Sequence, residues 1–350
     1  MAQSKPPIDD AALGAARALI VDSEVIDLHL DSFIWTRIFG YRLDKRHGRG
    51  LLGGRFYSQT DFPRALEAGL TGGTWIITTN PVRPRRNRRD TFWKNLADIE
   101  AILEAAPKLQ LVRNVAEYNR ARAEGKHGAF LGIQGGNALD VDLSELERLD
   151  ERILRITLVH LTNSRLGATS APLGQRFPVR GGGSDGLTDL GRDYVRACNA
   201  NKIFVDLAHI SRKGFFDAVA VHDQSQPLLV THTGIAGVYE HWRNVTDAQL
   251  RAVADTGGVV GVMFQKSFLG ARDVDVFTIV DHLAHIVDVI GEDHAALGSD
   301  YDGAIVPPDD MATLADLPRL VAAMRTRFSD RCVQKILGEN ALRVIRELRG

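Results

Sequence analysis

Eight short runs rich in Val, Ile, Leu and Thr constrain this chain more than any other feature of it. They are VIDLHLD from Val25, GGTWIITT from Gly72, AFLGIQGG from Ala129, LRITLVHLT from Leu154, IFVDLAHI from Ile203, PLLVTHTG from Pro227, GVVGVMFQ from Gly258 and HAALGSD from His294. Unbroken apolarity over strand-like lengths is the pattern of strands buried on both faces. Between most of them lie segments with helical periodicity, among them FWKNLADIEAILEAAPK from Phe92, LTDLGRDYVRACNAN from Leu187 and FTIVDHLAHIVDVIG from Phe277. Strand and helix alternating eight times predict an α/β fold, a (β/α)8 TIM barrel, spanning residues 1–350 as a single domain. Three stretches break the repeat: 40–60, 80–90 and 163–186 are rich in Gly, Pro and Arg, and are expected as long βα loops over the barrel mouth.

Charge and cysteine content narrow the function classes. In 350 residues, 43 Lys and Arg stand against 44 Asp and Glu, so no global field draws the protein to nucleic acid or to an anionic membrane. The Arg run at 83–89 has no interleaved aromatics and reads as a solvated loop rather than a nucleic-acid contact. No secretory h-region or membrane-spanning stretch is visible, which makes the cytoplasm the expected location. Cys198 and Cys332 are too few for a disulfide framework or a thiolate zinc cluster, and read as packing residues. A metal, if bound, must be held by His and carboxylates, and a small molecule is the expected partner.

Such side chains recur at one kind of place. His29 and Asp31 end the first run, and residues two apart on a strand share a face. Gln134, His160, His209, His232 and Asp300 end five of the others. One strand-end His is ordinarily structural. If the strands close into a barrel, however, all these ends converge on one polar cavity, where barrel enzymes keep their chemistry. Imidazole and carboxylate ligands without thiolate suit zinc, or less readily Mn, Fe or Co, and the reaction class they point to is metal-assisted hydrolysis of a small substrate. His222, His241, His282, His285 and His294 lack this placement and read as structural.

These motifs, together with GLTDLGRDYVRACN, VTHTGIAGVYEHWRNVTDAQLRAVADTGGVVGVMF, LGSDYDG and KILGENALRVIREL, resemble the renal or membrane dipeptidase family, peptidase family M19, over almost the whole chain. The resemblance implies a barrel of the metallo-dependent hydrolase type, often a homodimer, with a binuclear zinc centre that cleaves dipeptides, some with a D- or dehydro residue at the C-terminal position. It implies that His29 and Asp31 bind the more buried metal and that His209 and His232 bind the second. It implies that His160 lies at the scissile carbonyl, that Arg243 pairs with the substrate's terminal carboxylate, and that Asp300 shuttles a proton and meets the substrate amino group. Asp302 is expected to support the site from behind.

The chain departs from the family pattern at two positions. Gln134 stands where the family has a glutamate bridging both metals, and Gln265 stands where a tyrosine often follows the strand-7 Phe. An amide oxygen is a weaker ligand and carries no charge to offset two dications. Three readings follow: a zinc dipeptidase that tolerates Gln134; a mononuclear or altered-metal amidohydrolase-like enzyme acting on another small amide or amino-acid derivative; and a catalytically impaired binding protein of the same fold.

Overall fold

The computed structural model describes residues 6–80, 83–176 and 185–350. Among these residues, nine strands form one parallel sheet: β1 (Ile26–Leu30), β2 (Gly72–Thr78), β3 (Leu109–Leu111), β4 (His127–Gln134), β5 (Arg155–Thr157), β6 (Phe204–Asp206), β7 (Leu229–Thr233), β8 (Val259–Val262) and β9 (Ala295–Leu297). The sheet closes because β2 pairs with β4 from Gly72↔Gly128 to Thr78↔Gln134, while β1 joins β2 to β9. The result is a closed barrel of eight parallel strands with helices outside it, a TIM barrel. Each of the eight apolar runs supplies one barrel strand. β3 lies outside the ring, paired only with His127–Ala129 at the start of β4, the same edge that β5 takes up further along at Gly132–Gln134.

Every residue of β1, β2, β4, β7 and β8 is buried, as strands covered by the barrel interior and a helical layer must be. Several helices start where a side chain caps the first turn: Thr188 accepts from Gly191 N, Ser211 from Gly214 N, and Asp275 from Thr278 N. The barrel end at which the strands begin is sealed by apolar packing. Ile26, Phe130, Leu154, Phe204 and Val259 meet Leu342, Ile345 and Leu348 of the C-terminal helix Asn340–Arg349.

The Arg-rich stretch 80–90, expected as a loop, is largely helical: a helix runs from Arg85 to Glu104, beginning seven residues before the segment that the periodicity marked at Phe92. Arginine is a good helix former, and Pro84 stands at the N-cap, where its missing N–H costs no bond. Residues 40–60 carry no strand and no helix. Within 163–186, Gly174–Arg176 forms a short 3-10 turn, and residues 177–184 lie outside the described residues. Among the described residues, no helix is long and apolar enough to cross a membrane.

Candidate metal centre

The strand ends bring most of the expected side chains together. His29 Nε2 lies 3.5 Å from Asp300 Oδ1 and 3.9 Å from Asp31 Oδ2. The His29 and His232 rings are 3.8 Å apart between centroids, and one ligand atom each from His29, His232 and Asp300 falls within a sphere that a single cation can span. His209 Nε2 is 2.8 Å from His232 Nε2, and the Gln134 amide lies 3.2 and 3.3 Å from the same two nitrogens. His160 stands edge-on to His209, 4.7 Å between ring centroids. Two of these residues hold left-handed backbone conformations that a side chain rarely adopts, His209 at φ 66° and Asp300 at φ 61°. Strain of this kind persists only where the surroundings enforce it, and it gathers at working sites. Gly303 leaves room for the Asp300 carboxylate, since a Cβ there would lie 2.1 Å from Asp300 Oδ1.

Beneath the cluster lies a row of polar side chains set by strand register, Thr78↔Gln134↔Thr157↔Asp206. Thr78 Oγ1 donates to Asp31 Oδ1 at 2.5 Å and touches Gln134 Oε1 at 3.0 Å. Asp206 Oδ2 accepts from Arg155 Nη1, Thr157 Oγ1 and Thr231 Oγ1, at 2.9, 2.5 and 2.7 Å, while its Oδ1 accepts from the backbone N–H of Ala208 and Thr231. Arg155 Nη2 reaches His29 Nδ1 at 2.7 Å, and Thr231 Oγ1 lies 2.9 Å from His232 Nδ1. Asp27 accepts from the backbone N–H of His29 and Ser299, tying β1 to the end of β9. Arg155, Asp206 and Thr231 escaped the reading of the sequence. A charged residue inside an otherwise apolar strand run, as in LRITLVH and IFVDLAH, was the signal available for the first two.

Burial dominates the electrostatics. It pushes the His29, His209 and His232 imidazoles well below the ordinary histidine range, assisted by the Arg155 and Arg243 charges, and takes His160 down to about 3. These rings are therefore neutral at pH 7, the form that binds metal. The same burial raises Asp31 to about 7 and holds Asp300 well above the carboxylate range, the latter helped by the Asp31 charge and opposed by Arg243. Among the described residues, several buried polar atoms have no hydrogen-bond partner: His29 Nε2, His209 Nδ1, His160 Nδ1, Arg37 Nε and Arg243 Nε. Unsatisfied buried groups are costly, so three imidazole and two guanidinium nitrogens lacking partners within one cluster point to partners from outside the chain.

One cavity of about 820 Å³ opens over the cluster, lined by Asp31, Gln134, His160, His209 and Asp300 on its floor, with Ile34, Trp242, Phe268 and Ile305 among its apolar walls. Arg37, Arg83 and Lys94 add positive charge to it. Arg243 sits elsewhere. It is buried, its Nη2 donates to His232 O at 2.6 Å, and it lines a small adjoining cavity shared with His209 and Trp242. Gln265 faces the main cavity, but its amide is engaged with Ser267 Oγ and Val306 N, so it braces a loop. Asp302 accepts from Ser32 Oγ and from the N–H of Gln59 and Thr60, and supports segment 58–60. His222, His282, His285 and His294 each bond a group outside the cluster.

A sequence profile described as membrane dipeptidase (peptidase family M19) matches residues 13–349. The chain belongs to this dipeptidase family. A Klebsiella pneumoniae relative, described as an uncharacterized protein in the pqqA 5' region, is 34% identical over 267 residues, covering 74% of this chain and 96% of its own length. A metallopeptidase from Rhodobacter sphaeroides, solved with a phosphinate mimic of the dipeptide L-Ala-D-Ala, superposes with a TM-score of 0.78 at 27% identity, covering 93% of this chain and 99% of that one. The probable dipeptidase PvdM from Pseudomonas aeruginosa shares the fold, with a TM-score of 0.85 at 17% identity over 97% of this chain and 98% of its own.

The residues of this M19 chain fit a divalent cation. The Nε2 atoms of His209 and His232 lie 2.8 Å apart, and His29, His232 and Asp300 each offer a ligand atom within 4.8 Å of one another. The Nε2 atom of His29 and the Nδ1 atoms of His160 and His209 are the orphans a metal or a substrate would satisfy.

Proposed function

We propose that this M19 chain is a zinc-dependent dipeptidase that hydrolyses small dipeptides, including those with a D- or modified residue at the C-terminal position, and that residues 1–350 act as one barrel unit. The observation that carries the reading is the convergence of Asp31, Gln134, His160, His209 and Asp300 on one cavity floor, with His29 and His232 packed directly against them. The Rhodobacter sphaeroides enzyme's dipeptide mimic supports the substrate class.

The candidate ligands are His29, Asp31, Gln134, His209 and His232. Zinc held there supplies Lewis acidity, polarising a carbonyl and lowering the pKa of water. The chain's own groups do the rest. His160, neutral at pH 7, presents a ring whose Nδ1 is free of protein partners and so can donate to the oxygen that gains charge as the amide is attacked. Asp300, kept prone to protonation by burial, holds a proton at its carboxyl oxygen and delivers it to the leaving amine. Arg243 is the candidate partner of the substrate's terminal carboxylate. Arg37 competes for that role, because it lines the main cavity and its Nε is unpartnered.

The test is metal analysis of protein purified without chelator, combined with a dipeptide panel of L–L, L–D and N-blocked substrates. Bound zinc and cleavage of the free dipeptides are expected. Metal-free protein whose rate does not respond to added zinc overturns the proposal.

A further inference from the structure

Arg155 is the buried group that the reaction leaves unused, and it sits against a candidate ligand. Its guanidinium is almost fully enclosed, pairs with the equally buried Asp206, and donates from Nη2 to His29 Nδ1 at 2.7 Å. The barrel is built around it: Gly132, its neighbour on β4, lacks the Cβ that would lie 3.0 Å from Arg155 Nε. A guanidinium only donates, so His29 Nδ1 is the acceptor in this contact. The proton of the neutral ring is then on Nε2, the atom that faces Asp300.

His232 shows the opposite arrangement. The Thr231 hydroxyl gives its proton to Asp206, so its oxygen accepts from His232 Nδ1–H, which leaves Nε2 bare toward His209. A metal-bound histidine ordinarily donates its second N–H to an oxygen acceptor, and His232 meets that pattern while His29 faces a donor. Gln134 leaves the cluster one anion short, and beneath it the Arg155 guanidinium, paired with Asp206 through Nη1, turns Nη2 to His29.

We propose that Arg155 holds His29 as a hydrogen-bond donor outside the coordination of the ion, so that this chain binds one divalent ion, at the His209–His232 pair, and the guanidinium stands in for the charge of a second. Arg155 is thus a positioning residue. The inference rests on the metal-dependent reading above and narrows its ligand set: His29, whose ring nitrogen lies within reach of the same point as His232 and Asp300, is removed from it because Arg155 claims its Nδ1.

The test titrates chelator-stripped full-length protein with Zn²⁺, counting ions by elemental analysis and measuring affinity by calorimetry. One ion per chain is expected. His29→Asn keeps that ion with affinity within a few-fold, whereas His232→Asn weakens it by more than about 100-fold, beyond what loss of a mere orienting partner costs. Arg155→Met combined with Gln134→Glu raises the count to two. Two ions on the unaltered chain, or a loss in His29→Asn equal to that in His232→Asn, overturns the inference and leaves the metal-dependent reading standing. No ion on the unaltered chain overturns both.

Discussion

The two ends of the barrel handle buried polarity in opposite ways, and strand β4 touches both. At its start, His127 is fully partnered: Nδ1 lies 3.1 Å from Leu70 O, and Trp75 Nε1 donates to Nε2 at 3.2 Å. Nearby, the Arg349 guanidinium donates to the carbonyls of Lys202, Arg113, Glu151 and Ile153 and binds the loops that lead into the strands. At the other end of β4, Gln134 lies among imidazoles with orphan nitrogens, and Arg243 has a single carbonyl partner with its Nε bare. At one end His127 and Arg349 find their partners within the chain; at the other, unpartnered nitrogens of His29, His160, His209 and Arg243 gather where a ligand can meet them.

Substitutions at the mouth break this contrast most severely in function. His232→Ala is expected to lower metal affinity and dipeptide turnover by at least about 100-fold, since even partners that only orient a ligand are worth 10–100-fold. Its metal-free form should melt within a few degrees of the unaltered chain, because the ring packs against His29, His209 and Gln134 rather than into the apolar core. A metal-free Tm well below that of the parent would show that His232 is a structural histidine after all.

The arginines come next. Loss of a charge-assisted hydrogen bond costs about 1.5–3 kcal/mol, so the arginine that binds the substrate carboxylate should raise KM roughly 10- to 100-fold on conversion to Ala. Arg243→Ala and Arg37→Ala, compared on substrates with free and amidated C-termini, decide between the two. The carboxylate partner loses only its preference for the free acid, and an unchanged KM in Arg243→Ala moves that role to Arg37. Gln134→Glu is smaller and opposite in sign. Returning one negative charge to the floor is expected to tighten metal binding by about 10-fold, the lower limit for groups that tune a metal site; unchanged affinity and unchanged rate together would take Gln134 out of contact with the ion.

Much of this architecture was legible in the chain because barrel strands are buried on both sides. That burial demands continuous apolar runs, and it makes a His or carboxylate at the end of each run conspicuous: His29, Gln134, His160, His209, His232 and Asp300 were all visible in this way. What stayed hidden had no periodic signature. β3 lies outside the ring with only its first residue buried, so it carries no continuous apolar run, and the helix start at Arg85 was hidden by arginines that read as a solvated loop. Whether Arg243 faces the main cavity or a side chamber depends on loop packing that no spacing encodes. The protonated nitrogen of His29 depends on Arg155, which is 126 positions away in sequence.

The sealed end offers the smallest and cleanest test, because no ion is involved. Burial lowers His127 to about 4, against about 6.5 when exposed. The folded protein therefore binds this proton less readily than the unfolded chain does. Its contribution to stability is complete above pH 6.5 and is lost progressively as the pH falls from there toward 4. Between pH 7.5 and 6 the loss comes to about 0.8 kcal/mol for this one group, visible in urea titrations of the metal-free protein. A His127→Asn variant keeps a donor and an acceptor but cannot titrate, so its stability should fall less steeply over that interval. If variant and parent share the same slope, His127 titrates no differently on folding. The satisfied end would then store none of the pH dependence assigned to it, and the slope would belong to the histidines of the mouth.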